Sequence, residues 1–116
     1  MSSAAPSSQL STEDISQERI ANELGQNFPN PFNPETWIPY AVSEPAAVTL
    51  KIYDTNGRQV RELSLGIKEP GQYFTKARAA YWDGRNAEGE AVASGIYFYY
   101  LEAGSFRATR KLIIQK

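Results

Sequence analysis

Four oxygen-bearing side chains, Asp83, Asn86, Glu88 and Glu90, fall within one short polar stretch. Six to eight oxygens at such density would hold a calcium ion. The spacing does not follow the EF-hand pattern, and Arg85 places a positive charge among them. Asp and Asn also build ordinary turns through side-chain bonds to backbone, and a structural turn is the favoured reading. A second chemical signal is the basic end. Arg107, Arg110, Lys111 and Lys116 give residues 105–116 a charge of +4 with no acid. Such a run either protects an exposed strand edge or sets register and on-rate for a partner that adds a strand there. The chain has neither His nor Cys. That excludes Cys nucleophiles, His bases, serine triads and nearly every zinc or copper site. No paired carboxylates stand out for general acid–base work, so no catalytic residue, metal or cofactor is expected.

Two apolar motifs carry weaker signals. Pro29-Asn30-Pro31-Phe32 belongs to a proline-rich box that could dock in an aromatic groove. The plainer reading is that it starts the first strand, with Phe28 and Phe32 plugging the end of the domain and the prolines blunting an edge. Tyr97-Phe98-Tyr99-Tyr100 could stack on sugars, but strand alternation sends two of the four inward, and core packing is favoured. Lys51 alternates with Val48, Leu50 and Ile52, so it falls on the solvent side rather than in an internal Lys–Asn cross-link.

The 116 residues fit one domain. Hydrophobic residues at 41% and charged residues at 22% are near globular averages. The net charge of −1 excludes a bulk basic field for nucleic acid. No apolar run reaches the length of a membrane span, and the first residues lack the basic-then-apolar order of a signal peptide. Residues 1–24 carry four acids and one base, against nine acids and eleven bases over 25–116. They read as a flexible leader or linker, with a short helix over 12–22 as the other option.

From Gly25 onward the texture is β. Five prolines between positions 29 and 45 keep that stretch extended and at an edge, with Thr36–Val42 as an irregular first strand. Ala47–Tyr53 alternates cleanly. Asp54-Thr55-Asn56-Gly57 is a tight turn, with Gly57 or Asn56 at positive φ, and Arg58–Leu65 returns with Val60 and Leu63 on the core side. Gln72–Ala77 gives a short strand with Tyr73 and Phe74. Trp82 leads into the Asp83–Gly89 loop, with Gly84 and Gly89 as its glycines. Gly95 opens the strand Gly95–Glu102, and Ser105–Gln115 is the last, with Phe106, Ala108, Leu112 and Ile114 in phase. About seven short strands without a helical period predict an all-β, immunoglobulin-like antiparallel sandwich over 25–116.

Several boxes in this order resemble a known family. They are Asn27-Phe28-Pro29-Asn30-Pro31-Phe32-Asn33-Pro34, Val48–Asp54 with Gly57-Arg58, Trp82-Asp83-Gly84-Arg85-Asn86 with Gly89, Ala93–Tyr99, and Arg110-Lys111-Leu112. Together they resemble the C-terminal sorting domain of the type IX (Por) secretion system, and they are similar to the immunoglobulin-like domain of flagellar hook-capping proteins. Trp37, where a small polar residue is usual, and the long stretch Phe74–Tyr81 depart from the pattern. The resemblance implies a non-catalytic domain at the end of a larger exported protein, with Lys116 as its natural last residue. It also implies reading by an outer-membrane translocon, a sortase-like peptidase that removes the domain, an upstream cargo domain, and passage through the periplasm to the cell surface. Sorting information in the family is concentrated near the C-terminus. The residues expected to meet a partner are therefore Arg107, Arg110, Lys111, Leu112 and Lys116, with Pro29, Asn30, Pro31 and Phe32. The other reading is a structural or interaction module of an extracellular or hook-capping protein. Nucleic-acid binding and membrane insertion are not expected.

Overall fold

A computed structural model describes residues 20–116. All nine elements in it are strands: β1 (Glu23–Leu24), β2 (Thr36–Ile38), β3 (Tyr40–Val42), β4 (Ala46–Tyr53), β5 (Gln59–Lys68), β6 (Gly71–Tyr73), β7 (Ala80–Trp82), β8 (Gly95–Ala103) and β9 (Phe106–Ile114). The alternation in β4 and β8 sends Val48, Leu50 and Ile52, and Tyr97, Tyr99 and Leu101, to one buried face. These strands lie at the centre of a four-stranded antiparallel sheet in the order β5-β4-β8-β9. Opposite it lie the small antiparallel sheets β1-β3-β6 and β2-β7. Leu24, Ile38, Tyr40, Val42, Tyr73 and Trp82 from these sheets join the large sheet's inner face in one hydrophobic cluster. The result is the expected immunoglobulin-like sandwich.

The expected strand over Thr36–Val42 is two strands. Pro39 offers no N–H to a ladder, and the chain changes partners there. Thr36–Ile38 pairs with β7, whereas Tyr40–Val42 pairs with β1 and β6. Gly25 N–H bonds to the Pro39 carbonyl at 2.8 Å. The expected strand over Gln72–Ala77 ends at Tyr73. The Thr75 carbonyl accepts the N–H groups of both Arg78 (2.9 Å) and Ala79 (2.6 Å), closing a tight turn, and Phe74 sits at the surface. The return arm of the first hairpin runs on to Lys68 and carries register shifts opposite Val48/Thr49 and Ile52/Tyr53. Val60 is the unpaired residue at the second shift. This bulge resets the phase, so Val60 and Leu63, three residues apart, both pack against the core.

The boundary placed at Gly25 lies within the folded unit. Glu23–Leu24 pairs with Tyr40–Ala41, and Leu24 is buried. Residues 12–19 of the helix option lie outside the described residues, and Ile20–Asn22 is not helical. No helix among the described residues is long and apolar enough to cross a membrane.

Candidate functional site

The proline-rich box and the last strand, far apart in sequence, form one surface. Phe32 N–H bonds to the Ile113 carbonyl, and Gln115 N–H to the Phe32 carbonyl, both at 3.1 Å. Asn30 Oδ1 accepts the Ile113 N–H at 3.0 Å, and Gln26 Nε2 donates to the Lys111 carbonyl at 3.0 Å. Residues 26–32 therefore seal the outer edge of β9 over its second half. The box keeps its shape through buried polar groups. Asn27 Nδ2 donates to Thr36 Oγ1 at 3.0 Å and to the Pro29 carbonyl at 3.2 Å, and Thr36 Oγ1 donates to that carbonyl at 3.0 Å. The peptide bonds before Pro29, Pro31 and Pro34 are cis.

The first half of the β9 edge differs. Along a strand the outward-pointing backbone groups alternate. Those of Ile113 are taken, and the same phase assigns those of Arg107 and Thr109 to the outer edge. Neither residue has a backbone partner on that side among the described residues. Basic groups border this opening. Arg107 is exposed and pairs with Glu102 at 3.6 Å, and Glu102 also holds Lys51 at 3.4 Å. Arg110 Nε donates to the Leu24 carbonyl at 2.6 Å. Lys111 is exposed on the outer sheet face.

The remaining expected residues are placed differently. Leu112 and Phe32 are core side chains, with Phe32 edge-on to Trp82 at 5.7 Å, so they support this surface from below. Pro29 and Pro31 are exposed beside Asn30. Lys116 is held back by Ser94 Oγ, which accepts its N–H at 3.2 Å, and by the Val92 carbonyl, which accepts its ammonium. Asn27, Thr36 and Gln26 do not appear among the expected site residues. An Asn followed by an aromatic and a proline gives no local sign that its amide will be buried.

Asp83, Asn86 and Glu90 each accept a bond through a side-chain oxygen in or beside this loop. Asp83 accepts from Arg61 and from Arg85 N–H, both at 3.0 Å. Asn86 Oδ1 accepts the N–H groups of Glu88 (3.0 Å) and Glu90 (2.9 Å), while its amide donates to Glu90 Oε1 at 3.0 Å. Among the described residues no acidic cluster is grouped to hold a metal ion. Trp82 is fully buried, and its indole N–H donates to the Arg85 carbonyl at 2.9 Å. Gly57, Gly84, Gly89 and Gly95 all have positive φ. Of the Tyr97–Tyr100 run, Tyr97 and Tyr99 are core residues, and Phe98 lies on the outer face.

The model of the family described as the FlgD Ig-like domain matches residues 35–105. The sealing box and β9 lie on either side of that span. No curated protein sequence matches the chain. Among solved structures the chain is similar to dimeric latent PorU from Porphyromonas gingivalis, with a TM-score of 0.59 and 20% identity over 81% of this chain and 9% of that one. It is also similar to PorZ of the same organism, described as an essential bacterial surface component of the type IX secretion system. There the TM-score is 0.53 and the identity 21%, over 87% of this chain and 12% of that one. The chain thus spans about a tenth of either protein. At these identities the likeness is one of fold.

Proposed function

Because the chain belongs to the FlgD Ig-like domain family, we propose that it acts as a non-catalytic sorting domain. In this reading it directs an attached exported cargo through the periplasm to the outer-membrane type IX translocon and so to the cell surface, where a sortase-like peptidase acts on it. The sandwich likeness to PorZ supports the secretion context. The observation that carries the reading is the half-open edge of β9. Arg107 and Thr109 present backbone groups to which a partner strand can add, and exposed cations beside them set charge and register. The sealed half, from Lys111 to Gln115, holds that strand in place.

Removing residues 105–116 would not test this, because it removes Leu112 and Ile114 from the core. The test is a fusion of all 116 residues to a signal-peptide-bearing reporter in a host with a working type IX system. It is compared with the double variant Arg107→Glu, Thr109→Pro. Reporter on the surface with the native domain, and in the periplasm with the equally folded variant, is the expected result. Surface delivery unchanged by the variant would overturn the role of this edge. Periplasmic retention of the folded native domain would favour a structural or interaction module of the hook-capping kind.

A further inference from the structure

Trp37 and the long stretch Phe74–Tyr81 meet in space. The turn closed on Thr75 sets Lys76 Nζ 4.3 Å from the centre of the Trp37 ring. Trp37 is the outward residue of β2, between buried Thr36 and Ile38, and Tyr81 is its direct partner on β7. On the other side Phe28 pairs with Trp37, each N–H bonding to the other's carbonyl, at 2.8 and 2.9 Å. Three aromatic side chains from three segments therefore stand in one cross-strand row. Ring centres are 6.4 Å apart from Phe28 to Trp37, nearly parallel at 25°, and 5.5 Å apart from Trp37 to Tyr81. Tyr81 remains 46% exposed.

The core does not need this row, since Thr36, Ile38, Ala80 and Trp82 already close it from beneath. Two charged side chains touch the rings. Glu35 accepts the Tyr81 hydroxyl at 2.7 Å, and Lys76 lies over Trp37. Their charges cancel, so electrostatic complementarity calls for an uncharged occupant. A nucleic-acid strand would bring a phosphate with every unit against a single lysine. A neutral sugar chain suits each feature. Its C–H faces stack on aromatic rings, its hydroxyls bond to a carboxylate and an ammonium, and its repeat is close to the spacing of the rings. Tyr81 is tilted 51° from Trp37, so the row presents rings at two inclinations to a polymer lying across it.

We propose that Phe28, Trp37 and Tyr81 form a binding row for a neutral polysaccharide, with Glu35 and Lys76 as its polar rim. The row stands on strands other than β9 and does not depend on the sorting reading. The test is migration of the full chain through native gels containing hydroxyethylcellulose, dextran or yeast mannan, with Trp fluorescence followed in the same solutions. Retardation by at least one polymer is expected, with at least tenfold weaker apparent affinity for Trp37→Ala and for Tyr81→Ser. Lys76→Ala, which removes the ammonium of the rim, should weaken it by less than either ring substitution does. Tyr81→Ser guards against a folding defect in Trp37→Ala, because Tyr81 is an exposed residue. No retardation by any of the three polymers would overturn the proposal. So would retardation that survives both ring substitutions, or binding confined to an oligothymidylate probe.

Discussion

The hydroxyl of Tyr99 joins two backbone groups of the segment that precedes the proline box: it accepts the N–H of Asn27 at 2.9 Å and donates to the carbonyl of Gly25 at 2.7 Å. Tyr99 is fully buried at the centre of the large sheet, so this one atom ties residues 25–27 across the core. Tyr99→Phe keeps the ring and leaves the Asn27 N–H without its partner. A buried donor stranded in this way costs about 1–3 kcal/mol. Thermal unfolding should show the loss, and an unchanged Tm would mean that water replaces the hydroxyl.

The same burial gives a pH dependence. Desolvation raises the Tyr99 hydroxyl pKa to about 12, with the bond from Asn27 N–H and the charge of Arg110 acting in the opposite direction. Tyr40, packed on Tyr73 at 4.9 Å, is also pushed up to about 12, chiefly by burial. In the unfolded chain a tyrosine loses its proton near pH ~10. Above that pH the folded state holds more protons than the unfolded one, so stability falls as pH rises. Stability should be flat through the neutral range and drop between about pH 10 and 12. Melting curves across that window check the sign, and Tyr99→Phe should flatten part of the slope.

Two glycines with similar backbone angles should respond differently to alanine. Gly57, at φ 82°, sits at the tip of the first hairpin with open space where a Cβ would stand. Backbone N–H groups of Arg58 and Asn56 hold the Asp54 carboxyl of this turn below its usual pKa. Gly57→Ala should cost only the left-handed conformation, about 1–2 kcal/mol. Gly84, at φ 76°, has the Pro34 carbonyl oxygen inside contact distance of a Cβ. Gly84→Ala should be clearly the more destabilising of the two in chemical denaturation. Equal losses would mean that the 83–90 loop can shift away from the proline box.

Trp82 is where the two layers and the proline box converge. It touches Phe32 edge-on, stands 6.3 Å from Tyr97, and donates to the Arg85 carbonyl. Trp82→Ala should cost about 3–5 kcal/mol, enough to threaten folding of a domain of this size. A near-native Tm would remove Trp82 from the core.

Alternation alone locates β4 and β8, because a half-buried central strand must write its two faces into every second residue. The turn at Asp54–Gly57 is equally local, and so is the phase of Leu112 and Ile114. What stays hidden depends on partners distant in sequence. Nothing around Glu23–Leu24 marks a strand, since its ladder among the described residues is with the distant Tyr40–Ala41. Pro39 announces an interruption without saying that the chain changes sheets there. The β9 edge is the sharpest case for the candidate site. Its charges are legible, but sealing by Asn30, Phe32 and Gln26 is a tertiary event, and it divides the edge into a closed half and an open half.

That division predicts opposite outcomes for the same substitution on two strands. Thr49 lies in β4, paired with Ser64 on one side and Glu102 on the other. Proline there removes a ladder bond whichever way its N–H points and strands its partner, at a cost of at least about 1–3 kcal/mol. The N–H of Thr109 points to the open side of β9, where among the described residues proline removes no bond, and edge strands accept it. Thr109→Pro should stay within about 1 kcal/mol of the native domain, a modest change for an exposed site. Denaturation of both variants, with circular dichroism to confirm the fold, checks the contrast. If Thr109→Pro unfolds as readily as Thr49→Pro, the outer edge of β9 is already paired, and a partner strand has nowhere to add.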